Sequence, residues 1–329
     1  MARKTKVNFI AHPEILDMCH IQNKFLFDSF LDYLKSTDKA NTTIEQYRND
    51  LKIFFCWNYT DNNNKPFIEI TKRDYTRFQG KALTDWEWSP KRIRRVKACI
   101  SSLSNYIENI LDEEDEFKNF RSVIKKIESP VNVPVREKTI YTLEELQSVL
   151  DMLVSNKKYE IACALALAMY SGRRKSELSR FKVAYFDEKN VLFGTLYRTP
   201  EKVVTKGRGS KGKLLTLYVL KKEFEPYLKM WLDERQRLGI MSEWLFPKET
   251  NHNEHIDRYA LDRWARLLTK LSNKDFYWHS MRHFATTQFC KSNIPNHVIK
   301  QIIGWDSVEM VDLYNDTALD DVLGDYFKE

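Results

Sequence analysis

The chain has 329 residues, 43% of them apolar and 13% aromatic, enough to bury substantial cores and long enough for two domains of ordinary size. Its formal net charge of +7 rides on this globular composition, which excludes a disordered basic tail and points to a folded protein with a cationic surface and a polyanionic partner. No run approaches the ~18 apolar residues that a membrane span needs, and the start MARKTKVNF lacks a signal-like apolar stretch, so the expectation is a soluble, cytoplasmic protein.

Residues 1–21 are weakly patterned and read as an N-terminal extension. Helical periodicity begins with FLFDSFLDYL. In NTTIEQYRNDLKIFFCWNY, Thr42 and Glu45 have capping-box spacing, and Ile44, Tyr47, Leu51, Phe54 and Phe55 share one face. Another helix opens at Ser89-Pro90, a cap residue followed by proline in the first turn, with Ile93, Val96, Ile100, Leu103 and Ile107 on its apolar side. Its other side carries Lys91, Arg92, Arg94, Arg95 and Lys97. A charge stripe is usually a solvated face, but these five cations have no acid among them, and their mutual repulsion calls for an external anion.

Residues 22–127 therefore form one helical domain. Between 128 and 139 the pattern lapses into SPVNVPVREKT, which reads as a linker. After it, Thr142 and Glu145 give a second capping-box spacing, and helices run to about Arg180. A strand-rich patch spans about Val191 to Val219, and the remainder is again mostly helical. The fold class is mainly α with a small antiparallel β-sheet, in two domains, 22–127 and 140–315, followed by a tail at 316–329. The five cysteines, Cys19, Cys56, Cys99, Cys163 and Cys290, are odd in number, scattered and never in a CxxC pair, and read as reduced core residues.

Three segments carry chemistry. SGRRKSELSRF sets Arg174 and Glu177 one helical turn apart, WHSMRHFATTQF does the same for His279 and Arg282 with His283 adjoining, and IIGWDSVEMVDLYND places Trp305 nine residues before Tyr314. In order and spacing they resemble the signature of the tyrosine recombinase, or phage-type integrase, family: an arginine box (T/S)G-x-R-x-x-E-L, an HxxRH box, and G-(H/W) followed nine residues on by a tyrosine. The helices at Asn41 to Trp57 and Ser89 to Ile110 are similar to that family's core-binding domain, so the resemblance covers roughly residues 22–329.

The resemblance implies a two-domain clamp on double-stranded DNA, with a SAM-like helical core-binding domain and an α+β catalytic domain, of the compact Xer/Cre-like kind without an arm-binding domain. It implies that Arg174 and Arg282 bind the scissile phosphate, His279 handles protons, Tyr314 attacks to form a 3′-phosphotyrosine, Trp305 lines the site, and Glu177 and His283 support it. It also implies a homotetramer on DNA that is monomeric or dimeric when free, and a tail that docks into a neighbouring protomer, with packing on its own domain as the alternative. Lys91, Arg92, Arg94, Arg95, Lys97, Arg208 and Lys211 become candidate DNA contacts.

Elementary chemistry makes the same demand. A phosphodiester repels nucleophiles, and a transition state with more negative charge is favoured by fixed guanidinium forks that match two oxygens at once. A tyrosine ionises near pH 10, so it needs a cationic setting and a proton acceptor such as His279. Because the phosphotyrosine conserves bond energy, neither ATP nor another cofactor nor a metal is required.

The leaving 5′ oxygen needs a proton, which this family is thought to take from a lysine on a β-hairpin between the two arginine boxes. In EKVVTKGRGSKGKLLTLYV, Lys206 is the first choice, because Val203 to Thr205 read as strand and Gly207 to Gly212 as turn; Lys202, Lys211 and Lys213 stay open. The stretch nearly matches a phosphate-binding loop, but Leu214 replaces the metal-binding hydroxyl and a strand follows where a helix must start. His252 and His255 lack a third ligand and read as part of a surface loop, ETNHNEH. The chain departs from the family pattern at Arg173, where an apolar residue is usual, at Trp305 in place of the commoner histidine, and in its glycine-rich basic hairpin. Alternatives are a hairpin telomere resolvase or type IB topoisomerase-like enzyme, and a DNA-binding regulator that has lost catalysis.

Overall fold

The computed structural model describes residues 12–131, 138–205 and 211–315. Lys206, Arg208 and the tail at 316–329 lie outside the described residues. The chain divides into two compact units, one drawn from residues 12–131 together with 211–212 and a larger one from 138–205 and 213–315.

The helical unit comprises α1 (Pro13–Met18), α2 (Ile21–Ser36), α3 (Asn41–Asp61), α4 (Lys72–Thr84) and α5 (Pro90–Ile110). Helix α1 falls in the stretch expected to be an extension. It is too short to show a period, yet Leu16 and Cys19 pack into the core of this unit. Helix α3 starts two residues earlier than the spacing of Thr42 and Glu45 implies: Ala40 is the N-cap, and no side chain caps it. Burial of Ile44, Leu51 and Phe54 sets the phase of this helix, and Glu45 turns instead to Arg48, 3.4 Å away. Thr71 and Asp74 form the reciprocal box at α4, at 3.2 and 3.0 Å. At α5, Ser89 accepts from the Arg92 N–H and Pro90 occupies the first turn, as expected. The core is aromatic, with Phe54 and Trp57 edge-on to Phe78, each at a centroid distance of 5.1 Å.

The larger unit begins with α6 (Leu143–Ser155), capped by the expected Thr142–Glu145 box. Next come α7 (Tyr159–Ser171) and the one-turn α8 (Lys175–Leu178). The short strands β1 (Val191–Leu192) and β2 (Leu196–Arg198) follow, then β3 (Val203–Thr205), β4 (Lys213–Leu215) and β5 (Tyr218–Leu220). The chain continues through α9 (Lys221–Arg237), β6 (Pro247–Lys248) and β7 (Asn251–His255). It ends in α10 (Arg258–Ser272), α11 (Trp278–Lys291), α12 (Asn296–Ile303) and α13 (Glu309–Tyr314). All pairings are antiparallel: β1-β2-β5 make one sheet, β3 pairs with β4 from Val203↔Leu215 to Thr205↔Lys213, and β6 pairs with β7. His252 and His255 thus lie on a hairpin strand rather than in a loop. Its polar sequence has no apolar alternation to betray it, and the ladder to β6 supplies the order.

Helix α7 is apolar on every side, Ile161 to Met169 all being buried, so it runs through the middle of the unit. Two helix ends then define where the site sits. Helix α7 closes on Gly172 at φ +62° and α12 on Gly304 at φ +79°, both left-handed caps. Neither position has room for a side chain. A Cβ on Gly172 would lie 2.5 Å from Ile303 Cδ1, and one on Gly304 would lie 2.3 Å from Leu215 Cδ1. Leu215 belongs to β4, so the hairpin expected to carry the proton donor rests directly on the turn that leads to Trp305. Lys213 adds an ion pair to Asp306 at 2.6 Å. Gly304→Ala is expected to destabilise the larger unit by about 2 kcal/mol through the positive φ alone, read as a lower urea midpoint with an unchanged slope.

Candidate active site

The segments that carry chemistry meet inside the larger unit. Arg174 directly follows the Gly172-Arg173 turn at the start of α8. Its Nη1 donates to Glu177 Oε1 at 2.9 Å and its backbone N–H to Glu177 Oε2 at 3.1 Å. Glu177 is fully buried while the Arg174 side chain keeps 25% exposure, so the carboxylate grips the arginine from behind and leaves its outer face open.

Arg282, on α11, has no exposed surface. Its Nη1 donates to the Gly172 carbonyl and its Nη2 to the Ile303 carbonyl, each at 3.1 Å, and the guanidinium carbon lies 4.8 Å from the centre of the Trp305 ring. Burial pulls its pKa down to about 9, with Arg174 and then Arg173 adding repulsion. It remains cationic at neutral pH.

One turn earlier, His279 places Nε2 2.6 Å from the Tyr314 hydroxyl. His283 stacks on the same phenol at 4.2 Å between centroids and 18° between planes, and Trp305 lies 4.7 Å away. Tyr314 thus sits among His279, His283 and Trp305, within the fields of Arg282 and Arg174. Burial raises its pKa above the ordinary phenol value, and the two arginines oppose that shift. His283 is pushed down to about 4, first by burial and then by Lys138 and His279, so it is a neutral ring.

The sequence-predicted residues Arg174, Glu177, His279, Arg282, His283, Trp305 and Tyr314 are therefore one cluster. Lys202 and Lys211 are exposed, and Lys213 is engaged with Asp306. Two residues escaped the sequence reading. Thr287 Oγ1 donates to the Tyr314 carbonyl at 3.5 Å, and Lys138 Nζ donates to the Leu313 carbonyl at 3.3 Å, so both steady the end of α13. A signal for Thr287 was present, since 279, 283 and 287 repeat every four residues along one face of α11. Lys138 had none. Among the described residues, no group of His, Cys, Asp and Glu is arranged to hold a metal ion, and no helix is long and apolar enough to cross a membrane.

A sequence model described as the phage integrase family matches residues 140–320, more than half of the chain. The chain belongs to the phage integrase family. The chain is also similar to the SPbeta prophage-derived recombinase-like protein YomM of Bacillus subtilis (strain 168), with 33% identity over 226 residues. That match covers 68% of this chain and 65% of the relative. Among solved structures, the site-specific recombinase XerH on palindromic difH substrate aligns with a TM-score of 0.66 at 16% identity, over 87% of this chain and 80% of that one. The Tn1549 transposon integrase with circular intermediate DNA aligns at 0.62 and 15% identity, over 92% and 99%. These structures share the fold of this phage integrase family member, helical with small antiparallel sheets.

In the helical unit, the α5 stripe does not wait wholly on an external anion. Asp50, buried on α3, accepts from Arg95 Nε at 3.0 Å and Nη2 at 2.8 Å. Arg94 donates to the Pro130 carbonyl at 2.9 Å, Lys97 to the Ile127 carbonyl, and Arg92 lies 3.9 Å over the Trp88 ring. Lys91 is exposed. Repulsion along the stripe is thus relieved in part by an acid contributed by another helix, which the sequence of α5 alone does not show.

His283 gives this site a pH signature. Its folded pKa of about 4 lies below the ordinary 6.5, so between those values the unfolded chain binds more protons and stability falls as the solution is acidified. The larger unit is expected to lose urea resistance from pH 7 to pH 5. His283→Phe, which keeps a stacking ring and removes the titration, is expected to flatten the part of that loss that His283 causes.

Proposed function

We propose that this chain is a site-specific DNA recombinase that cuts and rejoins duplex DNA through a covalent 3′-phosphotyrosine at Tyr314. The observation that carries the reading is the 2.6 Å contact between His279 Nε2 and the Tyr314 hydroxyl, beside two arginines. A raised phenol pKa means that the hydroxyl holds its proton at neutral pH and must lose it as it attacks. His279 is placed to take that proton, while neutral, stacked His283 fixes the ring plane. The phenolic oxygen bonds to phosphorus, the 5′ oxygen leaves, and developing charge on the phosphoryl oxygens is met by Arg174 and Arg282. Rejoining reverses the step with a 5′ hydroxyl as nucleophile, and no ATP enters.

In this reading residues 22–127 and 140–315 each present cations to the same duplex, with the α5 stripe, Lys211 and Arg208 meeting phosphates. Four protomers act together on two DNA segments, and the tail at 316–329 links neighbours. Lys206 protonates the leaving oxygen.

Two experiments test this. Tyr314→Phe is expected to bind target DNA with unchanged affinity yet give no denaturation-resistant adduct on a gel; an adduct that persists in this variant moves the nucleophile elsewhere. Lys206→Ala is expected to lose at least about a hundredfold in cleavage of ordinary DNA and to recover on a substrate with sulfur at the 5′ bridging position, a leaving group that needs little protonation. Recovery shown by Lys202→Ala or Lys211→Ala instead would reassign the acid.

A further inference from the structure

Arg173 stands at a position where a side chain of its charge needs a reason. It has no exposed surface at all, and burial, with Arg174 repelling it, draws its pKa down to about 10, still above neutrality. Together with Arg174 and Arg282 it places three guanidinium groups near a single buried carboxylate, Glu177. Burying an ion in that setting is costly unless its hydrogen bonds are well used.

Nη1 has no hydrogen-bond partner among the described residues, so the placement is explained by the other two nitrogens. Arg173 Nε donates to the Ser171 carbonyl at 3.0 Å, and Nη2 donates to the Ile302 carbonyl. Arg282 donates to the next carbonyl along each of the same two segments, Gly172 and Ile303. Two guanidinium groups therefore bridge the C-terminal ends of α7 and α12 in parallel, carbonyl for carbonyl. Those last-turn carbonyls have no partners within their own helices and carry the negative end of each helix dipole, so cations belong there. The two ends lead to different parts of the site: α7 runs through Gly172 to Arg174, and α12 through Gly304 to Trp305 and then α13 with Tyr314. Without a second bridge, the hydrogen bonding of side chains to both ends would fall to Arg282, which must also serve the phosphate.

We infer that Arg173 is a positioning residue for cleavage: it locks the α7 and α12 ends together, so that Arg282 is held at the phosphate and Trp305 and Tyr314 keep their register to it. The inference rests on the recombinase reading for its effect on rate, but the bridge itself is a property of the fold. Lysine retains the charge and cannot span two carbonyls with separate nitrogens of a planar fork. Charge alone and bridging are therefore separable.

The test compares wild type, Arg173→Met and Arg173→Lys in the full chain. Both variants are expected to bind target DNA with wild-type affinity and to form the covalent adduct about a hundredfold more slowly in a single turnover, the scale of a misplacement near 1 Å. On DNA with a neutral methylphosphonate at the scissile position, where a misplaced Arg282 matters less, the deficit is expected to shrink to about tenfold or less. A merely structural defect would slow both substrates by the same factor and overturn the inference, as would Arg173→Lys at the wild-type rate. Hydrogen exchange provides a readout independent of activity. The Gly304 and Trp305 amides, which close α12 on the Lys300 carbonyl, are expected to exchange faster in both variants while α9 is unchanged. Unchanged exchange at residues 304 and 305 would remove the bridge whatever the rates. If wild type forms no adduct, the recombinase reading fails and the exchange result alone decides whether Arg173 holds the two helix ends.

Discussion

Four backbone carbonyls, at Ser171, Gly172, Ile302 and Ile303, are held by two buried guanidinium groups, and the rest of the site hangs from that arrangement. Helix C-termini normally turn their unpaired carbonyls to water. Here two of them end inside the protein, and each ends on a glycine because the left-handed cap and the crowding by Ile303 and Leu215 exclude any side chain. The arginines supply the donors that water would have supplied. The same contacts that stabilise the fold therefore aim Arg174 and Tyr314 at one point, and little in this part of the chain is purely architectural or purely chemical.

Around Tyr314 the logic is different. Three rings, from His279, His283 and Trp305, pack around the phenol, and His279 reaches its oxygen. Stacking limits the ring to small excursions, while Thr287 and Lys138 hold the backbone at the end of α13. A six-residue helix has little stability of its own. Its alignment is borrowed from α11, which carries two of the three rings, Thr287 and Arg282 on a single rigid element.

Much of this was legible in the amino-acid sequence because the spacings are short and helical. Arg174 with Glu177 and His279 with Arg282 are one turn apart, and that separation survives any tertiary arrangement. The caps at Ser89 and Thr142 are local for the same reason. What the sequence concealed is what depends on partners far along the chain. The phase of α3 follows burial of Ile44, Leu51 and Phe54 and overrides a plausible cap at Thr42. The β7 strand exists through its ladder to β6 and not through its polar residues. Arg173 looked anomalous because its acceptors lie at Ser171 and, 129 residues away, at Ile302. Asp50 was invisible as the partner of Arg95, 45 positions distant on another helix.

That last pair has a bearing on how the helical unit meets an anion. A free arginine on a surface samples many rotamers, and freezing it on contact sets about 0.5–1.5 kcal/mol against association. Arg95 is already frozen: both of its contacts to Asp50 are made during folding, and its side chain still keeps 40% of its surface. The conformational entropy of that side chain is lost once, in the folded protein, and not again at each encounter. Asp50 also offsets one positive charge in the stripe, so Arg95 has a fixed direction and a weakened field.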